Sequence, residues 1–362
     1  MSFVRWLDGY DPAERARLGG KNASLGEMLA AGLPVPPGFA VTVDAYHTVR
    51  RHQDVRRAVW DLLGEVDLGD PAALEELSAA IRGRIEQVPL DDGVAADVAS
   101  AYQQLCDRCT SDAVPVAVRS SATAEDLPDA SFAGEHDTYL WVRGADDVLV
   151  HLTRCWSSLF TARAIAYRRE RGHDHDVVAM SVGVQKMVRP KASGVAFTLN
   201  PSDGDRSQVA VESAWGFGEG IVSGEVTPDN FLVDKVLGEI VRRTISDKAF
   251  EYRLGQGDRV ERVPVDDDRR TAPSLDDEEV KAVARLARRA ERHYRCPQDV
   301  EWAIDGDLPP DQAVTLLQAR PETVWSQQAR PPVAAGGDPM RSIVTTLLSP
   351  LHARERSDEP GP

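Results

Sequence analysis

The sharpest constraint in the sequence lies towards its C-terminal end, where a charge-sorted helix runs into two strands. Ser274 precedes Asp276, Asp277, Glu278 and Glu279, and Arg288, Arg289, Arg292 and His293 crowd the far end. Carboxylates are stabilised at the positive end of a helix and cations at its negative end. Val280, Val283, Ala284 and Ala287 form a single apolar stripe at helical spacing. Two strands follow, Val300 to Ile304 and Ala313 to Ala319, joined by Asp305-Gly306-Asp307-Leu308-Pro309-Pro310-Asp311. That link is turn chemistry, so the strands are expected to pair as a hairpin.

The rest of the chain mixes both element types. Asn22 or Ser24 is placed to cap a helix through Leu25, Met28 and Leu29 that stops at Gly32. A proline-rich connector leads to a short strand at Phe39 to Val43, and helical spacing runs from about Tyr46 to Asp112. Val114 to Val118 reads as a strand, followed by a polar loop to about Thr138 and a helical stretch from Leu149 to Arg171. Val182 to Val188, Val195 to Leu199 and Gln208 to Ser213 read as strands, the last ending in the glycine-rich segment Gly216 to Gly224. From about Gln327 the composition is that of a mobile tail, with at most a short amphipathic turn around Ile343 to Leu351. No internal repeat is visible.

Charge narrows the choice of partners. The 362 residues carry a net charge of -16, which disfavours nucleic acid and anionic membrane surfaces. No apolar run is long enough to span a bilayer, and Met1 to Tyr10 lacks a signal-peptide core, so a cytoplasmic location is expected. Cys106 and Cys109 form one C-x-x-C, and Cys155 and Cys296 stand alone. A zinc site needs a second paired set, so free thiols are expected.

Three constellations are suited to phosphate chemistry. Gly19-Gly20-Lys21 leads into a helix, where backbone N–H groups, the helix dipole and an ammonium can meet an anion. The spacing is not that of a Walker loop. Val116 to Val118 would deliver Arg119 at the end of a strand, with Ser120, Ser121 and Thr123 as hydroxyl donors and a small-residue flap around Gly134. On the C-terminal hairpin, alternation puts Asp299 and Glu301 on one face, and Gln318 and Arg320 on a face with Val314 and Leu316. A carboxylate beside an amide oxygen is a partial set of ligands for Mg²⁺, to be completed by phosphate and water. Each block alone also fits a plain reading: a loop lysine, a surface Arg–Glu pair, a surface salt bridge.

Taken together, the blocks resemble a known family. G-G-K-N-A-S-L-G-E-M, P-V-P-P-G-F-A-V-T, V-R-S-S-A-T-A-E-D-L-P-D-A-S-F-A-G, D-T-Y-L, V-G-V-Q-K-M-V, S-G-V-A-F-T, S-A-W-G-F-G-E-G, V-E-W-A-I and L-L-Q-A-R-P stand in one order over about residues 5–325. This resembles the nucleotide-binding domain of the phosphoenolpyruvate synthase, pyruvate phosphate dikinase and rifampicin phosphotransferase family. The resemblance implies an α/β (α+β) protein of ATP-grasp type. It also implies two lobes, over residues 1–180 and 181–326, before the tail at 327–362. It implies ATP and Mg²⁺ as cofactors. Lys21, Arg119 and Arg320 would contact phosphate, and Gly134 and Thr138 would lie in a phosphate-covering loop. Gln185 would sit at the hinge near adenine, beside Met187 and Val188, and Glu301 and Gln318 would bind the metal. Glu212 and Glu219 are further candidates.

One family feature has no counterpart here. The family carries its phosphoryl group on a histidine in a T-S-H or T-C-H context, and none of the eight histidines has it. His173-Asp174-His175-Asp176 reads as a polar loop rather than a metal site. The expected activity is therefore a half-reaction: the β,γ-diphosphate of ATP passes to a histidine on a separate partner, leaving AMP. The alternatives are a nucleotide-sensing subunit without turnover and a self-sufficient small-molecule kinase.

Overall fold

The computed structural model describes residues 2–65, 70–122, 137–170, 178–256 and 259–325. The chain divides into a compact unit at Met1–Glu322 and a second at Thr323–Pro362, of which only 323–325 are described. The expectations for the tail, for Gly134 and for His173 to Asp176 lie outside the described residues.

The first unit opens with strand β1 (Val4–Trp6), helix α1 (Arg15–Ala30), strand β2 (Gly38–Val41) and helices α2 (Val43–Arg50), α3 (Gln53–Glu65), α4 (Pro71–Gln87) and α5 (Asp92–Arg108). Strands β3 (Val116–Ala122) and β4 (Thr138–Val142), helices α6 (Ala145–Ser157) and α7 (Ala162–Glu170), and strand β5 (Met180–Lys186) follow. Next come β6 (Pro190–Phe197), β7 (Gln208–Trp215), the short helix α8 (Glu219–Val222), β8 (Asp229–Asp234) and β9 (Ile240–Thr244). The last elements are β10 (Phe250–Leu254), β11 (Val260–Pro264), α9 (Asp267–Arg270), α10 (Asp277–Tyr294), β12 (Gln298–Asp305) and β13 (Val314–Pro321).

Beside a separate two-stranded sheet in which β10 and β11 pair, two large antiparallel sheets organise these elements. One has five strands in the order β1-β2-β5-β3-β4, and the other six in the order β13-β12-β6-β7-β8-β9. The fold is thus α+β. β5 is the central strand of the first sheet, so the sheets divide the chain between Lys186 and Pro190. The first sheet buries Phe39, Val41, Val118 and Val184 in a core shared with Trp156, Ile81 and Leu105 of the helical layer. The second sheet buries Val300, Trp302, Leu316 and Val211 against Val280, Val283, Ala284 and Ala287 of α10.

Local chemistry accounts for the element ends. Asp276 caps α10 and Glu279 closes a reciprocal capping box. Ser274 is not the cap. It is buried and donates to Asp229, whose carboxylate also holds the fully buried Lys248 ammonium at 2.6 Å. At the end of α1, Leu33 N–H bonds Met28 O and Gly32 N–H bonds Leu29 O, with Gly32 in the left-handed region at φ 68°.

α1 departs from expectation at its other end. It is interrupted at Gly19, where φ is 69°, and a Cβ there would collide with the Ser121 carbonyl. Asn22 does not cap the helix. Its amide donates to Leu18 O and to Ser181 Oγ on β5. Ser24 Oγ donates to Ala319 O on β13. One helix is therefore tied to both sheets, with Lys21 beside those ties.

Candidate functional site

A cavity of about 420 Å³ lies between the two sheets, a size suited to a small-molecule ligand. β3 and β4 of the first sheet supply Arg119, Thr138 and Leu140, and β5 with its exit supplies Gln185, Met187 and Val188. β6, β12 and β13 of the second sheet supply Ser193, Val195, Glu301 and Leu317, and the glycine turn after β7 supplies Phe217, Glu219 and Val222. An adjoining recess is bordered by Lys21, Arg119, Gln185 and Gln318. The structure thus brings Lys21, Arg119, Thr138, Gln185, Glu301 and Gln318 to one place. A wider open groove of about 1120 Å³, between the 34–37 connector and α10, contains none of them.

Arg119 is the hub of the polar end. β3 continues through Ala122, so Arg119 lies inside the strand rather than at its end. Its Nη1 donates to Leu317 O at 3.0 Å and its Nη2 to Gln318 Oε1 at 2.9 Å. Glu301 Oε2 lies 3.8 Å from Nη2. The guanidinium, from the first sheet, is thereby fastened to the hairpin of the second. Ser120 and Ser121 are fully buried and cannot donate to a ligand in the cavity as expected; Thr123 lies outside the described residues.

The hairpin corrects the expected facing of Gln318 and Arg320. Glu301 pairs with Gln318, but Trp302 pairs with Leu316, so Leu317 is an extra residue on β13. Strand alternation is interrupted there. Val314 and Leu316 stay in the core, while Gln318 and Arg320 turn to the face of Glu301 and Asp299. The bulge also frees the Leu317 carbonyl that Arg119 engages.

Alternation puts Asp299 on this face, and in the structure it stands beside the cluster, bordering neither the cavity nor the recess. Arg320 Nε lies 3.4 Å from its Oδ2, while Oδ1 is buried without a partner among the described residues. Burial raises its carboxyl above the usual range, against the pull of Arg320 and with a further push from Glu322. An orphaned carboxylate oxygen beside Glu301 and Gln318 fits a hard cation such as Mg²⁺. Among the described residues no three His, Cys, Asp or Glu side chains converge as a metal cage. The protein offers a partial oxygen set that suits a cation shared with phosphate. Arg320 itself is 55% exposed and stands beside the cavity rather than in its wall.

Gln185 is buried, and its amide nitrogen donates to Pro36 O at 3.1 Å. Met187 N–H is taken by Pro115 O, which leaves the Met187 side chain to line the cavity beside Val188. Glu219 borders the cavity. Glu212 lies one strand further on, in the row that runs from Gln318 through Glu301 and Val195, with its carboxyl raised by burial. The wall residues Ser193, Phe217 and Val222 carried no chemical signal in sequence; only their place in S-G-V-A-F-T and in the glycine-rich segment marked the region.

Two antiparallel sheets and a cleft between them, with basic groups facing acidic ones, define an ATP-grasp-like nucleotide-binding domain. The chain belongs to the family described as "Pyruvate phosphate dikinase, AMP/ATP-binding domain", which it matches over residues 15–336. It is 42% identical over 360 residues to the phosphoenolpyruvate synthase of Aeropyrum pernix, covering 91% of this chain and 44% of that protein. It is 43% identical over 323 residues to a probable phosphoenolpyruvate synthase of Methanocaldococcus jannaschii, covering 89% and 27%. It is 42% identical over 318 residues to a rifampicin phosphotransferase of a Streptomyces species, covering 88% and 35%. The chain thus spans less than half the length of these relatives. Among the described residues no helix is long and apolar enough to cross a membrane.

Proposed function

We propose that this chain binds ATP with Mg²⁺ in the cleft and transfers the β,γ-diphosphate to a histidine on a separate partner, releasing AMP. The observation that carries this reading is the Arg119 hub, a guanidinium held at once by the Leu317 carbonyl and Gln318 and set close to Glu301. The adenine would lie on Met187 and Val188, with Gln185 at the hinge. Lys21, Arg119 and Arg320 would face the phosphates, and Gly134 and Thr138 would belong to the loop over them. Glu301 and Gln318, with Asp299, would hold the Mg²⁺, which supplies charge neutralisation on the phosphate oxygens.

In such a site the protein contributes positioning and electrostatics rather than covalent chemistry. Cationic side chains draw charge off the diphosphate as its bond to the α-phosphate breaks. The partner histidine takes up the group, and water then cleaves its β–γ bond, releasing phosphate and leaving one phosphoryl group on the histidine. The final acceptor belongs to that partner.

The test is incubation of the chain with ATP labelled in the β position and a purified histidine-domain protein. Label on the partner and stoichiometric AMP are expected. ADP in place of AMP would point to a direct small-molecule kinase, and tight ATP binding with no transfer to any partner would point to a sensor.

A further inference from the structure

The aromatic residues at the apolar end of the cleft have no part in the phosphate chemistry, yet they join the two sheets. Phe217 lies in the glycine turn of the six-stranded sheet and lines the cavity. Its ring meets Trp141, on β4 of the five-stranded sheet, edge to face at 6.1 Å and 84°. Trp141 is 6% exposed and holds φ at 60°, a conformation that is unfavourable for a side-chain-bearing residue. Surrounding structure must enforce it. The Trp141 indole N–H is buried without an acceptor among the described residues, and the Arg143 and Arg189 guanidinium carbons each lie 5.8 Å from the ring centroid, so packing and these cations rather than hydrogen bonding fix the ring.

The turn that carries Phe217 is braced from behind. Gly216 has φ 69°, and a Cβ there would collide with the Tyr252 carbonyl. That carbonyl accepts the Phe217 N–H at 2.8 Å, and Ser193 Oγ donates to Gly216 O at 2.6 Å. The Tyr252 ring sits 3.2 Å from where a Gly220 side chain would begin. Phe217 is thus held by β10 on one side and by Trp141 on the other, with Met187 and Val188 among the other apolar residues lining the cavity.

We propose that Trp141 and Phe217 form an inter-sheet latch that sets the width of the base slot, making Phe217 a specificity-determining residue for a purine nucleotide. The inference rests on the nucleotide reading of the cleft. A slot of fixed width rewards a flat base that fills it and leaves a smaller one with unfilled volume. Trp141 acts through Phe217 and is a positioning residue.

Calorimetric titration of the full chain with Mg²⁺-ATP and Mg²⁺-UTP separates the possibilities. The wild-type chain should bind ATP in preference to UTP. Phe217→Ala and Trp141→Ala should each lower the ATP-to-UTP affinity ratio about ten-fold, and the double variant no further, because the two residues act as one unit. Trp141→Phe, which keeps a ring, should restore most of the ratio; Phe217→Leu, which keeps bulk without the edge, should fall between. Should the alanine variants not fold, the two conservative variants carry the test. An unchanged ratio in the Phe217 variants, or equal loss of both nucleotides, overturns the latch. A wild-type chain that binds both nucleotides equally overturns it too, and leaves the proposed function standing. A wild-type chain that binds neither removes the proposed function and the latch with it.

Discussion

Asp299 sits deeper than Glu301, 16% against 36% exposed at the side chain, and carries an oxygen with no partner among the described residues. Because burial raises its pKa in the folded state, the unfolded chain holds the ionised form more readily. The ionised carboxylate therefore lowers stability above that raised pKa, and the cost fades as pH falls through it. Asp299→Asn should melt above the wild type at pH 7, with the gap narrowing as pH is lowered towards 4; urea midpoints at several pH values measure this. The same variant should lose phosphotransfer on the order of a hundred-fold, the opposite of its effect on stability. A melting temperature lower than wild type at pH 7 would contradict the assignment. Alternation alone put Asp299 beside Glu301 in the sequence. Nothing in the sequence told that one of its oxygens would be left buried without a partner, because that depends on how the neighbouring strands pack around it, with Arg320 of β13 and Glu322 just beyond that strand as the charges it feels.

The bulge on β13 shows where sequence alternation loses the thread. Leu316 and Leu317 are the same residue type, so no change of polarity marks the step at which core-facing and site-facing positions exchange. Deleting Leu317 would restore strict alternation with Gln318 still opposite Glu301, but would remove the bulged carbonyl that holds the Arg119 guanidinium. Nucleotide binding should weaken about ten-fold, as read by calorimetry. α10, by contrast, was legible in its apolar stripe and its charged ends, and only the cap at Asp276 came from the structure. It ends on Arg295 at φ 58°, where glycine pays no Cβ penalty. Arg295→Gly should stabilise the protein by about 0.5–1 kcal/mol, seen as a raised urea midpoint without change in slope. The strands β9 to β11 were not legible. Val241, Arg242, Arg243 and Thr244 are all exposed, so that stretch lacks the one-sided burial that writes a strand into a sequence.

At the scale of the whole molecule, the order of the blocks carried a resemblance that implies two lobes, while the two sheets and the way they meet came only from the structure. If ATP and Mg²⁺ bridge the sheets, they should stabilise the fold together by about 2.7 kcal/mol at a hundred times the dissociation constant. Differential scanning fluorimetry should show a rise in melting temperature with both that neither gives alone. The ties of α1 carry a further consequence. Asn22 is bonded to β5 and Ser24 to β13, so a helix from the first thirty residues completes the packing of the last strand. The lobes are therefore not interchangeable parts. A chimera that grafts the C-terminal lobe of one relative onto the N-terminal lobe of another would inherit a foreign α1 under β13. Recombination in this family should succeed only where that helix travels with the hairpin it supports, although nearly three hundred residues separate them in the chain.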